Sequence, residues 1–294
     1  MRYLLVLIYV GLLAACESPQ AESESSAPSN ILNPTNEVVL HSEVKWTALN
    51  PARGAKGPRA ANLWGDRTKA GPTGFLVQFV DGFSSPPHIH NVTYRGMVIS
   101  GLLHNDDPQA EKMWLPPSSF WTQPAGEVHI TAASGSKNIA YIEIDGGPYL
   151  VLPTEEASDK GERPVNIDAS NIVWLDASKL KSIDQPKIST TSNGVEIAFL
   201  WGKPRGNQLH GTLLKLPAGF SGKILSQGPV FRAVVIGGEL AYQMPEESEK
   251  KALEAGSYFG STGEAVHTIA SRATEEVLIY IRTNGEYEIL QSTE

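Results

Sequence analysis

The feature that most limits how this chain can fold is an internal duplication. Leu63-Trp64-Gly65 recurs as Leu200-Trp201-Gly202, and Gly82-Phe83-Ser84 recurs as Gly219-Phe220-Ser221. At the same offset Tyr94-Arg95 matches Phe231-Arg232, and Gly101 matches Gly238. One residue is then gained, so that Ser119-Phe120-Trp121 matches Ser257-Tyr258-Phe259 and Val128-His129 matches Val266-His267. Colinear matches over most of each half do not arise from composition, so the two halves should share one fold. A chain of 294 residues has room for two domains of ordinary size.

The local pattern within each repeat is that of β-structure. Short runs such as Gly74 to Val80, Thr93 to Leu103, Ile139 to Ile144, Val230 to Ile236 and Val277 to Ile281 are of strand length and rich in β-branched residues. Glycine, proline, aspartate and asparagine punctuate them, and the 27 glycines and 20 prolines fit a loop-rich β architecture. A short helical piece is expected only near Pro245 to Ala255. The expected fold class is therefore all-β, a sandwich or barrel repeated in tandem. The polar stretch 153–170 reads as an interdomain linker. That places a first domain over 37–152 and a second over 171–294. The net charge of -8 makes nucleic acid an unsuitable partner, because phosphate binding needs a basic surface.

The chemical signal lies in the first repeat. In a strand alternate side chains share a face, so His88 and His90 point the same way and can meet one ion. Downstream, Pro124-Ala125-Gly126-Glu127-Val128-His129 sets a turn immediately before a third histidine. At the positions of His88, His90 and Tyr94 the second repeat has Leu225, Gln227 and Phe231, and only His267 survives opposite His129. The second domain is therefore expected to hold no metal. His41, His104 and His210 lie outside these segments and read as surface or strand-end residues. Asn91-Val92-Thr93 is formally a glycosylation sequon, but it lies inside the histidine segment and is discounted.

The two histidine segments resemble the paired motifs of the cupin superfamily. Gly82, His88, His90 and Gly101 sit at the spacings of the first motif, and Pro124, Gly126 and His129 match the second. The fuller stretches, Leu63-Trp64-Gly65-Asp66-Arg67 and Gly101 to Asp107, resemble a bicupin family of unknown function, the DUF4437 type. This resemblance implies two tandem jelly-roll (double-stranded β-helix) barrels, with His88, His90 and His129 as metal ligands in the first. It also exposes departures. Tyr94 stands where the family has a glutamate ligand, Ser118 where the second motif has its leading glycine, and Ala133 where it has its asparagine. A neutral phenol, with a pKa of about 10, is a poor ligand, so Tyr94 reads as a hydrogen-bond donor or cavity wall beside the metal. The implied cofactor is one divalent ion, and ligand type alone does not choose among Fe, Zn, Mn, Ni and Cu.

Tyr94 and Glu143 are the candidate catalytic residues. A gapless alignment from His129 sets Ile139-Ala140-Tyr141-Ile142-Glu143 against Val277-Leu278-Ile279-Tyr280-Ile281. If Ile279 and Ile281 face the core, Glu143 points into the first barrel as an acid or base. Otherwise it is an exposed carboxylate on an outer strand.

The N-terminus carries a different message. Met1-Arg2 is followed by an apolar stretch from Leu4 to Ala15 and then by Cys16, the only cysteine. The stretch is too short to span a bilayer comfortably and has the order of a secretory signal. Leu13-Ala14-Ala15-Cys16 resembles the bacterial lipobox, which implies cleavage after residue 15 and lipidation of Cys16. Residues 16–36 read as a flexible tether. Glu17 implies retention at the outer membrane, facing the periplasm. The expected protein is an envelope-anchored bicupin that meets the membrane through its lipid anchor alone, either a monomer of pseudo-dimeric barrels or a homodimer. It acts on a small organic molecule, as an oxygenase or related metalloenzyme, or binds and senses a metal or small ligand without catalysis.

Overall fold

In the computed structural model, residues 35–182, 188–190, 194–204, 207–245 and 247–292 are described. Cys16, the segment read as a signal and nearly all of the segment read as a tether lie outside them. The apolar runs form strands buried on both faces, which explains why they are continuous instead of alternating. In the strand Gly71–Phe79, Phe75 and Val77 enter the core of the first barrel, while Leu76 faces the second barrel. Val98 and its neighbours Met97 and Ile99 divide in the same way. In the second repeat Ala233 and Val235 enter their own barrel, while Val234 and Ile236 turn outward. Three apolar clusters result: one inside each barrel, and one between them that draws on both repeats.

Two seven-stranded sheets with the same strand order form the facing walls. In the first, the central strands are Tyr94–Asp106, Ile130–Gly147 and Gly71–Phe79. In the second they are Val230–Gly237, Val277–Thr283 and His210–Leu216. A six-stranded sheet closes the second barrel. In the first, the 13-residue strand Tyr94–Asp106 and the 18-residue strand Ile130–Gly147 continue past a bend to make the other wall.

The repeats exchange arms. The strand Thr35–Val39 precedes the first barrel but pairs with Tyr258–Thr262 of the second. Reciprocally, Val165–Ile167 precedes the second barrel but pairs with Phe120–Gln123 of the first. Part of the segment read as a linker, 153–170, is therefore a working edge strand of the first barrel. Its polar composition misled because an edge strand of three residues needs little apolar content. The helical piece expected near Pro245 to Ala255 is instead a strand, Lys250–Glu254, paired with Glu239–Gln243. Pairing with a preformed partner outweighs the local helix preference of lysine, alanine, leucine and glutamate. Ser118, at the place of a motif glycine, adopts φ 73°, the one positive φ of a non-glycine residue among those described.

The gapless alignment that pointed Glu143 inward slips by one residue. Leu76 pairs with Tyr141, and its counterpart Leu213 pairs with Tyr280. Tyr141 therefore corresponds to Tyr280, and Glu143 to Arg282. From His129 to Tyr141 is 12 residues and from His267 to Tyr280 is 13, so the extra residue lies in the connection. A slip of one flips every side chain to the opposite face. Ala140, Ile142 and Ile144 face the barrel interior, whereas Tyr141 and Glu143 face the other barrel. Glu143 is fully buried, neither the exposed carboxylate nor the acid or base inside the barrel that the two sequence readings offered.

Candidate metal centre

Backbone pairing brings the three histidines together. His88 and His129 exchange backbone hydrogen bonds of 3.1 and 3.0 Å across an isolated bridge. The His90 carbonyl accepts the Gly126 N–H at 2.8 Å. Gly126 is needed there: its φ is 80°, and a Cβ would lie 2.6 Å from the Ser158 carbonyl oxygen. One ring nitrogen from each of His88, His90 and His129 lies within 4.8 Å of the others. Among the described residues no carboxylate or thiol joins the group.

The other ring nitrogens set the tautomers. Nδ1 of His88 lies 2.9 Å from the Pro86 carbonyl oxygen, that of His90 2.8 Å from Leu150, and that of His129 3.1 Å from Glu127. A carbonyl only accepts, so each Nδ1 carries the hydrogen and each Nε2 presents a lone pair. Burial, reinforced by the neighbouring imidazoles, holds His90 well below the usual histidine range. The same two causes bring His129 down to about 3, and burial also lowers His88. The three rings are therefore neutral at neutral pH. A set of fixed, neutral imidazoles with inward lone pairs fits a divalent ion of the transition series.

Two phenols and an indole complete the floor. The Tyr94 hydroxyl donates to Asn105 Oδ1 at 2.8 Å and lies 3.3 Å from His129 Nε2. Burial raises its pKa, so it stays a neutral donor. Tyr149 stacks on His90 with ring centres 4.3 Å apart, and its hydroxyl lies 3.0 Å from His90 Nε2. Tyr149 escaped the sequence reading, as did Asn91, which accepts from Leu150 N–H and donates to the Pro148 carbonyl. Asn91 thereby pins the segment that delivers Tyr149 and the Leu150 carbonyl. The signal that could have found Tyr149 is Tyr287, which stands edge-on to Phe231 as Tyr149 stands edge-on to Tyr94. Trp121 lies across Gly96, where a Cβ would fall 2.1 Å from the indole.

The centre opens into a cavity of about 380 Å³. Its walls include Val77, Phe79, Phe83, Trp121 and Ile142, and Leu150 and Val151 stand exposed at its edge. Glu143 is not among its residues. Instead its carboxylate accepts from Tyr280 at 2.9 Å, Tyr141 at 3.1 Å and Arg282 at 3.2 Å. His104 and His210 are buried, His104 within the strand Tyr94–Asp106 and His210 at the start of His210–Leu216, and neither they nor His41 join the group.

Paired jelly-roll barrels with a three-histidine cluster in one define a bicupin. The family model described as "Domain of unknown function (DUF4437)" matches residues 37–290, and the chain belongs to that family. Among solved structures, a candidate dioxygenase from Nostoc punctiforme is similar with a TM-score of 0.60 and 13% identity, over 88% of this chain and 87% of that one. The protein Ylba from E. coli, of the DUF861 model, gives 0.56 and 11% over 85% and 91%. AerE from Microcystis aeruginosa gives 0.54 and 15% over 84% and 98%. At such identities the likeness shows the fold alone. No curated protein matches the chain.

Proposed function

We propose that the first barrel is a mononuclear metal centre that transforms a small organic molecule, in a protein held at the bacterial envelope through lipidated Cys16. The observation that carries this reading is the convergence of three Nε2 lone pairs, with tautomers set by backbone carbonyls, on the floor of a largely apolar cavity. His88, His90 and His129 would hold a divalent ion through neutral imidazoles, which would leave it its full charge, and it would supply Lewis acidity or, if redox-active, electron transfer. Oxygenase chemistry, the activity named for the Nostoc protein, falls within that class.

The chain's own residues supply the rest. Tyr94 holds a proton beside His129, and Asn105 orients that hydroxyl. The apolar walls exclude water and strengthen polar contacts at the floor. A second reading, a non-catalytic binder of a metal or small ligand, is favoured by one observation: no aspartate or glutamate lines the cavity among the described residues.

The deciding experiment is elemental analysis of protein recovered from the membrane fraction of its own cells. One divalent ion per chain is expected. His90→Ala should lower affinity by more than about tenfold, the smallest loss usual even for residues that only support a ligand. Recovery in the soluble fraction would remove the anchor, and metal-free protein or an unaffected variant would remove the centre. Metal-dependent turnover of any compound in a broad panel then separates enzyme from binder.

A further inference from the structure

The cavity is chemically polarised. Of its lining residues Arg53 alone is charged, and it stands at the rim on the exposed turn Pro51–Lys56. Arg53 forms no ion pair among the described residues; its guanidinium lies 5.9 Å from the centre of the Phe83 ring, also a lining residue. It lines the same cavity as His88 and His90. In a protein of net charge -8, an unneutralised cation at the mouth of an apolar pocket favours an anion there and disfavours a cation.

The floor has an independent polar feature. Trp121 is 2% exposed and lines the cavity, and its indole N–H makes no well-aligned hydrogen bond. It lines the cavity together with Tyr94, His88 and His90. A buried donor without a well-aligned partner is costly, and a ligand atom that accepts from it recovers that cost. The second barrel has Phe259 and Phe231 where the first has Trp121 and Tyr94, so both donors are confined to the barrel with the three histidines.

We infer that the ligand of the first barrel is a small organic acid with an apolar body, its anionic group held by Arg53 at the mouth and an acceptor atom taking the Trp121 N–H at the floor. This rests on the proposed metal centre only for the chemistry done at the floor; Arg53, the walls and Trp121 recognise the acid without it. A guanidinium pairs with a carboxylate through charge-assisted hydrogen bonds, whereas the matching amide gains no such charge.

The test uses the full chain, with and without added Zn(II), titrated calorimetrically with benzoate, phenylacetate and hexanoate and with the amide of each. At least one acid should bind at least tenfold tighter than its amide. Arg53→Ala should abolish that preference with metal content unchanged, Arg53→Lys should keep most of it, and Trp121→Phe should weaken acid and amide alike. Acids that bind no better than amides, or a preference that survives Arg53→Ala, would overturn the inference. A protein that takes up no Zn(II) yet keeps the Arg53-dependent preference would remove the metal centre and leave the acid-binding pocket standing.

Discussion

His129 and His267 occupy equivalent positions, and both are fully buried, yet they do different work. In the first barrel His129 turns Nε2 toward two other imidazoles. In the second, His267 has both nitrogens engaged, Nδ1 with the Tyr242 hydroxyl at 2.8 Å and Nε2 with Ser261 Oγ at 3.1 Å. Phe231 stacks on its ring with centres 4.8 Å apart. Burial brings its pKa down to about 3. The folded protein therefore holds this ring neutral while the unfolded chain protonates it near pH 6.5, so its contribution to stability is lost as pH falls from about 6.5 toward 3. Replacing His267 by Gln keeps a group able to bond both partners and removes the titration. The urea-unfolding free energy of His267→Gln should fall less steeply between pH 6 and 4, by about 1.4 kcal/mol per pH unit. Parallel pH curves for variant and parent would show that His267 is protonated in the folded state after all.

Among the elements, the strand Tyr94–Asp106 carries the most consequence for the site. It sets Tyr94 before a bend and Asn105 beyond it, and the two meet across the interior at 2.8 Å. The bend is at Gly101, with φ 78°, where a Cβ would stand 2.0 Å from Asn138 Oδ1 and 2.7 Å from the Lys137 carbonyl oxygen. Gly238 makes the same bend in the second repeat, with φ 76° and a Cβ position 2.4 Å from the Glu276 carbonyl. Gly101→Ala should therefore destabilise the protein by about 2 kcal/mol or more, since the left-handed conformation alone costs a side chain roughly 1–2 kcal/mol. A chemical-denaturation midpoint equal to that of the parent would mean that the backbone can relax at the bend.

At the scale of the whole molecule, the two barrels form one compact unit. The cluster between them includes Trp64, Met97 and Tyr141 from one repeat and Leu213, Tyr258 and Tyr280 from the other. At about 1.5–3 kcal/mol for each large apolar side chain, its burial rivals the usual net stability of about 5–15 kcal/mol. The reciprocal arms add to this, and so do paired contacts: Arg95 stacks on Trp201 and Arg232 on Trp64. Glu143 sits at the centre, with Arg282 and two tyrosines as donors and Arg95 3.6 Å away. Glu143→Ala leaves the Tyr141 and Tyr280 hydroxyls without an acceptor and the two arginines with Asp145 alone, and should cost at least about 1–3 kcal/mol, in a single calorimetric transition that spans both barrels. Metal occupancy at His88, His90 and His129 should stay unchanged. Loss of metal with stability intact would instead return Glu143 to the site.

The duplication, the all-β class and the three histidines are legible in the sequence, because each is written in local spacing. His-x-His puts two rings on one face of a strand, and Pro-x-Gly-x-x-His sets a turn before the third. The replacement of Tyr94 by Phe231 and of His88 by Leu225 was equally legible. Where Glu143 points emerged with the folded strands alone, because a one-residue difference in a connecting segment is nearly invisible in an alignment but reverses a face in a strand. Nor could spacing reveal the arm exchange, Tyr149 or the pairing of Arg53 with Trp121 across one cavity. Those depend on which distant segments meet, and that is set by the burial of both faces of each sheet at once.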